Sequence, residues 1–159
     1  MNTARKLTAN SDAIGAPQEV EICVGARTHD QVTLKLTLVE GVIESATLKV
    51  IGCTTLLRRV QELRRSLRGP LKDVVLPEGS DHAAMLLRET VLKAQGLWNY
   101  PYSDEEICHC RAVSTAKVDG AILAGCHSVD AIKSATSAST SCGTCLPDVE
   151  KVLRYRLKS

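Results

Sequence analysis

The sequence has no phenylalanine and only four aromatic residues, one tryptophan and three tyrosines, among 159 residues. It has no apolar run near the roughly 20 residues that cross a bilayer, and its N-terminus carries no signal-peptide hydrophobic stretch. The net charge is only +2, which gives no general reason to bind nucleic acid or a membrane. These absences predict a cytoplasmic protein of one domain or two small ones, without nucleic-acid or membrane partners.

The motifs of common enzyme classes are missing as well. There is no glycine-rich phosphate loop, and the serine, histidine and aspartate residues form no recognisable nucleophile motif. The sequence therefore predicts that the chain is not an enzyme.

Cysteine, in contrast, is abundant, with seven residues. The cytosol disfavours disulfides, and an odd number leaves at least one thiol unpaired in any pairing scheme. Small domains with few bulky core residues are often stabilised by a metal. The cysteines are therefore predicted to include metal ligands.

The N-terminal half has the periodicities of a sheet followed by helices. Residues 32–38 and 42–50 alternate apolar and polar around Glu40-Gly41, which predicts a β-hairpin, with Val42, Ala46 and Leu48 on one face. A helix with an apolar stripe follows Cys53, and Asp81 is a predicted N-cap of another helix. The polar face of the first helix is either a solvated surface or a docking surface for an acidic partner. It carries five arginines: Arg58, Arg59, Arg64, Arg65 and Arg68.

Residues 95–106 connect this half to a series of short predicted helices. Three of the four aromatic residues lie here, and they are predicted either to pack the two halves together or to shield a cluster. They are Trp98, Tyr100 and Tyr102. The first of these helices has Ser114 or Thr115 as its predicted N-cap, and the second has Ser128. Pro147 is predicted to begin the last helix.

Two cysteine pairs in this C-terminal part carry most of the chemical information. Cys108 and Cys110 form a CxC pair, and Cys142 and Cys145 form a CxxC pair. Both pairs are predicted to lead into helices, whose free N–H groups favour negative charge. Four thiolates suit either a [2Fe-2S] cluster or one tetrahedral zinc ion, and the spacing alone leaves both open.

Residues 107–153 resemble the bacterioferritin-associated-ferredoxin type of [2Fe-2S] domain. The resemblance rests on the sequences at 107–114, 122–132 and 142–149, with CxC, about 30 residues, and CxxC followed by Pro147. It implies that Cys108, Cys110, Cys142 and Cys145 ligate one redox-active [2Fe-2S] cluster. The family usually has glycine in the loop before the second pair, where this chain has residues 136–140, Thr-Ser-Ala-Ser-Thr.

Residues 19–95 resemble the IscU-type scaffold domain at the N-terminus of NifU, through residues 41–46, 51–53 and 81–83. Such scaffolds assemble a transient cluster on three cysteines beside an aspartate. Only Cys53 remains as cysteine. The family's first cysteine belongs to a motif that aligns with residues 28–30, where only Asp30 matches the motif. The family's third cysteine follows a histidine, but in this chain His82 is followed by Ala83. The resemblance therefore leaves two interpretations. Asp30, Cys53 and His82 form a vestigial mixed metal site, or this half is a degenerate scaffold retained for packing and partner contacts. In either case Cys53 is a candidate reactive thiol at a helix start.

The remaining cysteines and two of the histidines are not candidate ligands. Cys23 and Cys126 are predicted to be packing residues, and His109 and His127 are predicted to lie on the surface.

Together these features predict an α+β protein, with an IscU-like N-terminal antiparallel sheet and helices followed by a small all-α helix-turn-helix [2Fe-2S] domain. The predicted divisions are a flexible tail at 1–18, a scaffold-like domain at 19–95, a linker at 96–106 and the cluster domain at 107–159. The whole resembles NifU truncated before its Nfu-type domain.

Three functions are consistent with this organisation. The first is NifU-like cluster assembly beside a permanent cluster, with a cysteine desulfurase and an apo-acceptor as partners. The second is electron transfer, alone or in a larger redox enzyme complex, with the scaffold-like half as a docking module. The third is a zinc-stapled adaptor. Each of the three functions is compatible with a homodimer or with a subunit of a larger complex.

Overall fold

The computed structural model describes residues 15–25 and 30–158. Most of the predicted tail, at 1–14, and residues 28 and 29 of the scaffold motif lie outside the described residues. The first strand begins at Gln18, inside the stretch assigned to the tail. Within the described ranges, no helix is long and apolar enough to cross a membrane.

The N-terminal half is a four-stranded antiparallel sheet covered by two helices. The strands lie in chain order and are β1 (Gln18–Gly25), β2 (Gln31–Val39), β3 (Val42–Ile51) and β4 (Gly69–Pro70). The helices are α1 (Thr54–Ser66) and α2 (His82–Ala94). The α+β class and the predicted hairpin at Glu40-Gly41 are confirmed.

The register between β2 and β3 shifts at Thr37 and Leu38. Leu34 pairs with Leu48, but beyond the shift Leu38 pairs with Ile43. Ile43, rather than the predicted Val42, therefore packs on the core side with Leu48, and Val42 is 43% exposed. A β-bulge inverts the side-chain alternation, which the strict two-residue period of the sequence did not predict.

The C-terminal half begins with a two-stranded ribbon and continues as three helices. Its elements are β5 (Glu106–Cys108), β6 (Val113–Ser114), α3 (Thr115–Leu123), α4 (Val129–Thr136) and α5 (Leu146–Leu157). The side chains of Ser114 and Ser128 accept hydrogen bonds at the N-termini of α3 and α4, as predicted. The ribbon is an addition to the predicted helices.

Helix α2 joins the two halves because its two faces belong to different cores. Leu87 and Val91 pack with the sheet and α1. Met85 and Leu86 belong to the second hydrophobic core, which also contains residues of β1, α3, α4 and α5. A single helix buried on both sides makes the two halves one packed unit.

Candidate metal centre and its surroundings

The CxC pair lies at the end of the ribbon. Cys108 is the last residue of β5, and Cys110 lies in the short 3-10 turn that leads to β6. This turn ends at Ala112, whose φ of 48° is left-handed. The pair therefore enters a tight turn and not a helix, which corrects the prediction for this pair. Cys108 is fully buried, while Cys110 is exposed.

The CxxC pair precedes α5, and here the predicted helix is present. Gly143 has a φ of 73°, which glycine adopts without steric cost. Cys145 is the N-cap residue of α5, and its side chain makes no capping hydrogen bond. Its sulfur is thus near the free N–H groups and positive dipole end of a 12-residue helix.

The packing of the ribbon and of α5 against α3 brings the two pairs together. The sulfur of Cys110 lies 3.7 Å from that of Cys108 and 3.3 Å from that of Cys142. Cys145 is buried in the same hydrophobic core as Cys108. The site thus has two buried thiols and two exposed ones, Cys110 and Cys142. Four thiols are the donor set that a [2Fe-2S] cluster requires, so the residues fit it.

Two hydroxyl groups lie against the CxxC sulfurs. Thr144 Oγ1 is 2.8 Å from Cys142 Sγ, at the surface. Ser139 Oγ is 3.0 Å from Cys145 Sγ, in the interior. The hydrogen bond from the Thr144 hydroxyl is the largest of several contacts that lower the pKa of Cys142 to about 7. The sequence offers no periodic or motif signal for either contact.

The predicted N-terminal residues converge at the end of the sheet where β2 begins and β3 ends. Cys53 is the N-cap of α1, and its sulfur lies 3.0 Å from His82 Nε2. The same nitrogen lies 2.9 Å from Asp30 Oδ2, and Asp30 Oδ1 accepts from the backbone N–H of Cys53 at 3.0 Å. The ligand atoms of all three residues lie within 4.8 Å of one another. The structure thus brings together residues 23 and 29 positions apart.

Gly52 is needed for this convergence. A Cβ at this position would lie 2.6 Å from Asp30 Oδ1, closer than non-bonded atoms can approach. Asp30 is only 6% exposed, so its carboxylate depends on these local partners for its hydrogen bonds.

The other cysteines and histidines differ in part from expectation. Cys126 is half-buried against the C-terminal core, as predicted. Cys23 is exposed on β1, where its sulfur accepts from the Gln31 side chain at 2.9 Å, so it is not a packing residue. His109 and His127 are exposed, as predicted.

A buried ionic network at the junction of the halves was not predicted. Arg156 of α5 is 5% exposed and forms ion pairs with Asp119 of α3, at 2.6 Å, and Glu89 of α2, at 2.8 Å. Burial lowers the pKa of Arg156, but the two carboxylates raise it above its ordinary value, so the guanidinium stays charged. The sequence signal was present, because Arg156 continues the buried stripe formed by Val149, Val152 and Leu153.

The aromatic residues pack around this arginine. Its guanidinium lies 5.0 Å from the centroid of the Trp98 ring and 5.8 Å from that of Tyr100. Both rings also contact Tyr155 of α5. Tyr100 donates to Asp119 at 2.9 Å. Trp98 also contacts α2, since Lys93 Nζ lies 5.8 Å from its ring centroid. Trp98 thus packs the two halves together, which is the first of the two predicted roles.

Comparison with known proteins identifies the C-terminal half. Residues 106–155 match the family described as BFD-like [2Fe-2S] binding domain. This part of the chain is a BFD-like domain. The match decides between a cluster and zinc, which spacing had left open: the chain is an iron–sulfur protein, and its cofactor is a [2Fe-2S] cluster.

The relatives are nitrite reductases. The chain is 49% identical over 57 residues to "Nitrite reductase [NAD(P)H]" of Bacillus subtilis (strain 168), covering 35% of the chain and 7% of that protein. It is 30% identical over 134 residues to "Nitrite reductase (NADH) large subunit" of Escherichia coli (strain K12), covering 84% of the chain and 16% of that protein. No solved structure gives a significant match.

These relatives correct one expectation and qualify another. The prediction that the chain is not an enzyme is wrong, because the proteins that it resembles are enzymes. The alignment with the Escherichia coli protein spans 134 residues, more than lie beyond residue 106. It therefore extends past the BFD-like domain into the N-terminal half of this chain. A NifU-like assembly role does not follow from these relatives. The chain spans less than a fifth of their length.

Proposed function

We propose that the chain is an electron-transfer segment of a redox enzyme of the nitrite reductase type, with its cluster held by Cys108, Cys110, Cys142 and Cys145. The alignment of 84% of the chain with a nitrite reductase large subunit supports this function most directly. When bound, a [2Fe-2S] cluster accepts and returns one electron at a time. The role of the chain's own residues is to hold it, shield it and orient it toward a partner.

The burial of the four thiols makes the site one-sided. Cys108 and Cys145 face the hydrophobic core, while Cys110 and Cys142 face solvent. The core excludes water from one side, and a redox partner has access from the other. Electrons are therefore expected to enter and leave past the Cys110 and Cys142 side.

The N-terminal half serves as a docking module in this proposal. The Arg156 network and the shared helix α2 fix the cluster domain to the sheet, so a partner bound to one half has a defined position relative to the other. Arg58, Arg65 and Arg68 of the predicted basic face are exposed and available to acidic groups. Arg59 and Arg64 bond within the chain, to Asp81 and to the Leu48 carbonyl.

The test is the metal content and redox behaviour of the full chain. Anaerobically purified protein is expected to be red-brown, with about two irons and two sulfides per chain and a reversible one-electron reduction. The cluster is expected to stay on the protein when an apo-acceptor is added. Transfer of the cluster to the acceptor would favour assembly instead. Colourless protein with about one zinc per chain would contradict both functions.

A second candidate, metal binding in the N-terminal half, is favoured by the convergence of Asp30, Cys53 and His82. One ring nitrogen of His82 faces both the thiol and the carboxylate. A proton relay uses the two different ring nitrogens of histidine, so this arrangement is more typical of ligands around one ion. Thiolate, imidazole and carboxylate together suit zinc or ferrous iron. Cluster assembly of the NifU kind is the extension of this candidate.

Zinc titration of the full chain, with its cluster in place, tests this second candidate. One additional zinc per chain is expected for the native protein, with binding lost in His82→Asn and retained in the control Cys23→Ser, which changes an exposed thiol of β1. Supplying iron, sulfide and a cysteine desulfurase should add chelator-labile iron if the site assembles clusters. Equal zinc binding by both variants would contradict the site.

A further inference from the structure

The loop between α4 and the CxxC pair adopts a conformation that its residues do not favour. Ser137 and Ser139 have φ values of 67° and 58°, in the left-handed region that costs a non-glycine residue roughly 1 kcal/mol or more. Ser137 follows the end of α4 and is exposed. Ser139, in contrast, is only 9% exposed. A serine kept in a strained, buried position requires a compensating contact, and that contact is with Cys145.

The rest of the loop holds Ser139 in place. Thr136 donates to the Ile132 carbonyl at 2.7 Å, and its hydroxyl accepts from the Ala138 backbone N–H at 3.1 Å. Ala138 is fully buried in the C-terminal core. Thr140 donates to the Ser137 carbonyl at 2.8 Å. These contacts fix both sides of Ser139, so its hydroxyl reaches Cys145 without a large loss of side-chain entropy on cluster binding.

The direction of the hydrogen bond follows from the chemistry of the ligand. A metal-bound cysteine is a thiolate without a proton, so the Ser139 hydroxyl must be the donor. A donor to a ligand sulfur stabilises the more negative, reduced cluster and thereby raises its reduction potential. Because the contact is buried, water cannot replace it. The equivalent contact of Thr144 with Cys142 is exposed, and there water can substitute.

We propose that Ser139 is a positioning residue that raises the reduction potential of the cluster by donating a buried hydrogen bond to the Cys145 thiolate. The inference deepens the proposed function and rests on its four-cysteine ligand set. It also gives a reason for serine at a position whose backbone conformation favours glycine: the hydroxyl acts on the cluster and offsets the strain.

The experiment is a potentiometric titration of the full, cluster-loaded chain, monitored by visible absorption and electron paramagnetic resonance. Ser139→Ala keeps the Cβ and the strain but removes the hydroxyl, and it is expected to lower the reduction potential. Ser137→Ala, at the neighbouring left-handed position without a thiolate contact, is the matched control and is expected to leave the potential unchanged. Thr144→Val is expected to lower the potential less than Ser139→Ala.

Ser139→Gly separates the electronic role from a structural one. Glycine relieves the strain, so this variant is expected to fold at least as stably as Ser139→Ala while showing the same lowered potential. Resonance Raman spectra should also show altered Fe–S stretching frequencies in both variants. An unchanged potential in loaded Ser139→Gly, or an equal fall in Ser137→Ala, would overturn the inference. Failure of the native chain to hold a cluster would instead overturn the proposed function.

Discussion

The two groups of candidate ligands in this chain differ in how their members are brought together. The C-terminal group has four thiols from two short motifs, which come together because the ribbon and α5 both pack against α3. The N-terminal site uses three different donors that lie far apart in the sequence. Two short motifs can therefore supply a full set of thiol donors, whereas a mixed set of donors depends on the fold to bring its members together.

The largest expected effect distinguishes the two sites directly. Cys145→Ser removes a buried thiol of the C-terminal site and is expected to abolish the visible absorption of the cluster, because oxygen is a poor substitute for thiolate. Cys53→Ala is expected to leave that absorption unchanged. Loss of the spectrum in Cys53→Ala would mean that the two sites are not separate.

The next effect concerns the junction between the halves. Arg156→Met leaves Asp119 and Glu89 without their buried cation and is expected to lower the free energy of unfolding by about 3–5 kcal/mol. Arg154→Met, on the exposed face of the same helix, is the control and should change stability by less than about 0.5 kcal/mol. Urea unfolding measures both. Equal stability of the two variants would argue that the halves do not depend on this network.

A smaller effect concerns the exposed thiols of the cluster-free protein. Several hydrogen bonds, the largest from the Thr144 hydroxyl, lower the pKa of Cys142 to about 7, so about half of this thiol is ionised at pH 7 and its alkylation rate should rise through that pH. The Cys142 backbone N–H lowers the pKa of Cys110, but the sulfurs of Cys142 and Cys108 and desolvation together raise it above its ordinary value. Cys110 should therefore react more slowly, which mass spectrometry of the alkylated peptides can measure. The order should reverse or vanish in Thr144→Val if the hydroxyl is responsible.

The smallest effect concerns the arginines of α1. Arg59 bonds the Glu78 carbonyl at 3.1 Å and pairs with Asp81, the N-cap of the helix that carries His82. Arg58 is exposed. Arg59→Ala is expected to cost roughly 0.5–1 kcal/mol, since the pair is partly solvent-exposed, and Arg58→Ala less than that. Thermal unfolding can compare them, and a larger effect of Arg58→Ala would contradict the assigned contacts.

Patterns within a few residues were sufficient to predict much of the fold. The hairpin turn, the N-caps at Asp81, Ser114 and Ser128, and the final helix at Pro147 were all predicted and are present. Each depends on a hydrogen bond or a backbone dihedral preference that is local. The bulge in β3 and the left-handed turn after Cys110 were not predicted, because tertiary packing selects these irregularities.

The candidate sites divide in the same way. The spacing of the CxC and CxxC pairs indicated their ligand role, since cysteines one or two residues apart can reach one centre in almost any fold. The approach of Asp30, Cys53 and His82 had support only from a resemblance, and no local pattern predicts their distances. For Ser139 the sequence offered only an indirect signal, the absence of the family's usual glycine from residues 136–140. Its contact with Cys145 depends on a loop conformation that the sequence alone does not favour.

The sequence by itself determined the chemistry available to this protein: four clustered thiols, a short supply of aromatic rings and helices of modest length. Only the tertiary structure decided which thiols are buried, which hydroxyls contact them and that Arg156 is paired with carboxylates from two other helices. The physical reason is that helix caps and turns depend on short-range hydrogen bonds, whereas burial and ion pairing depend on which distant surfaces pack together.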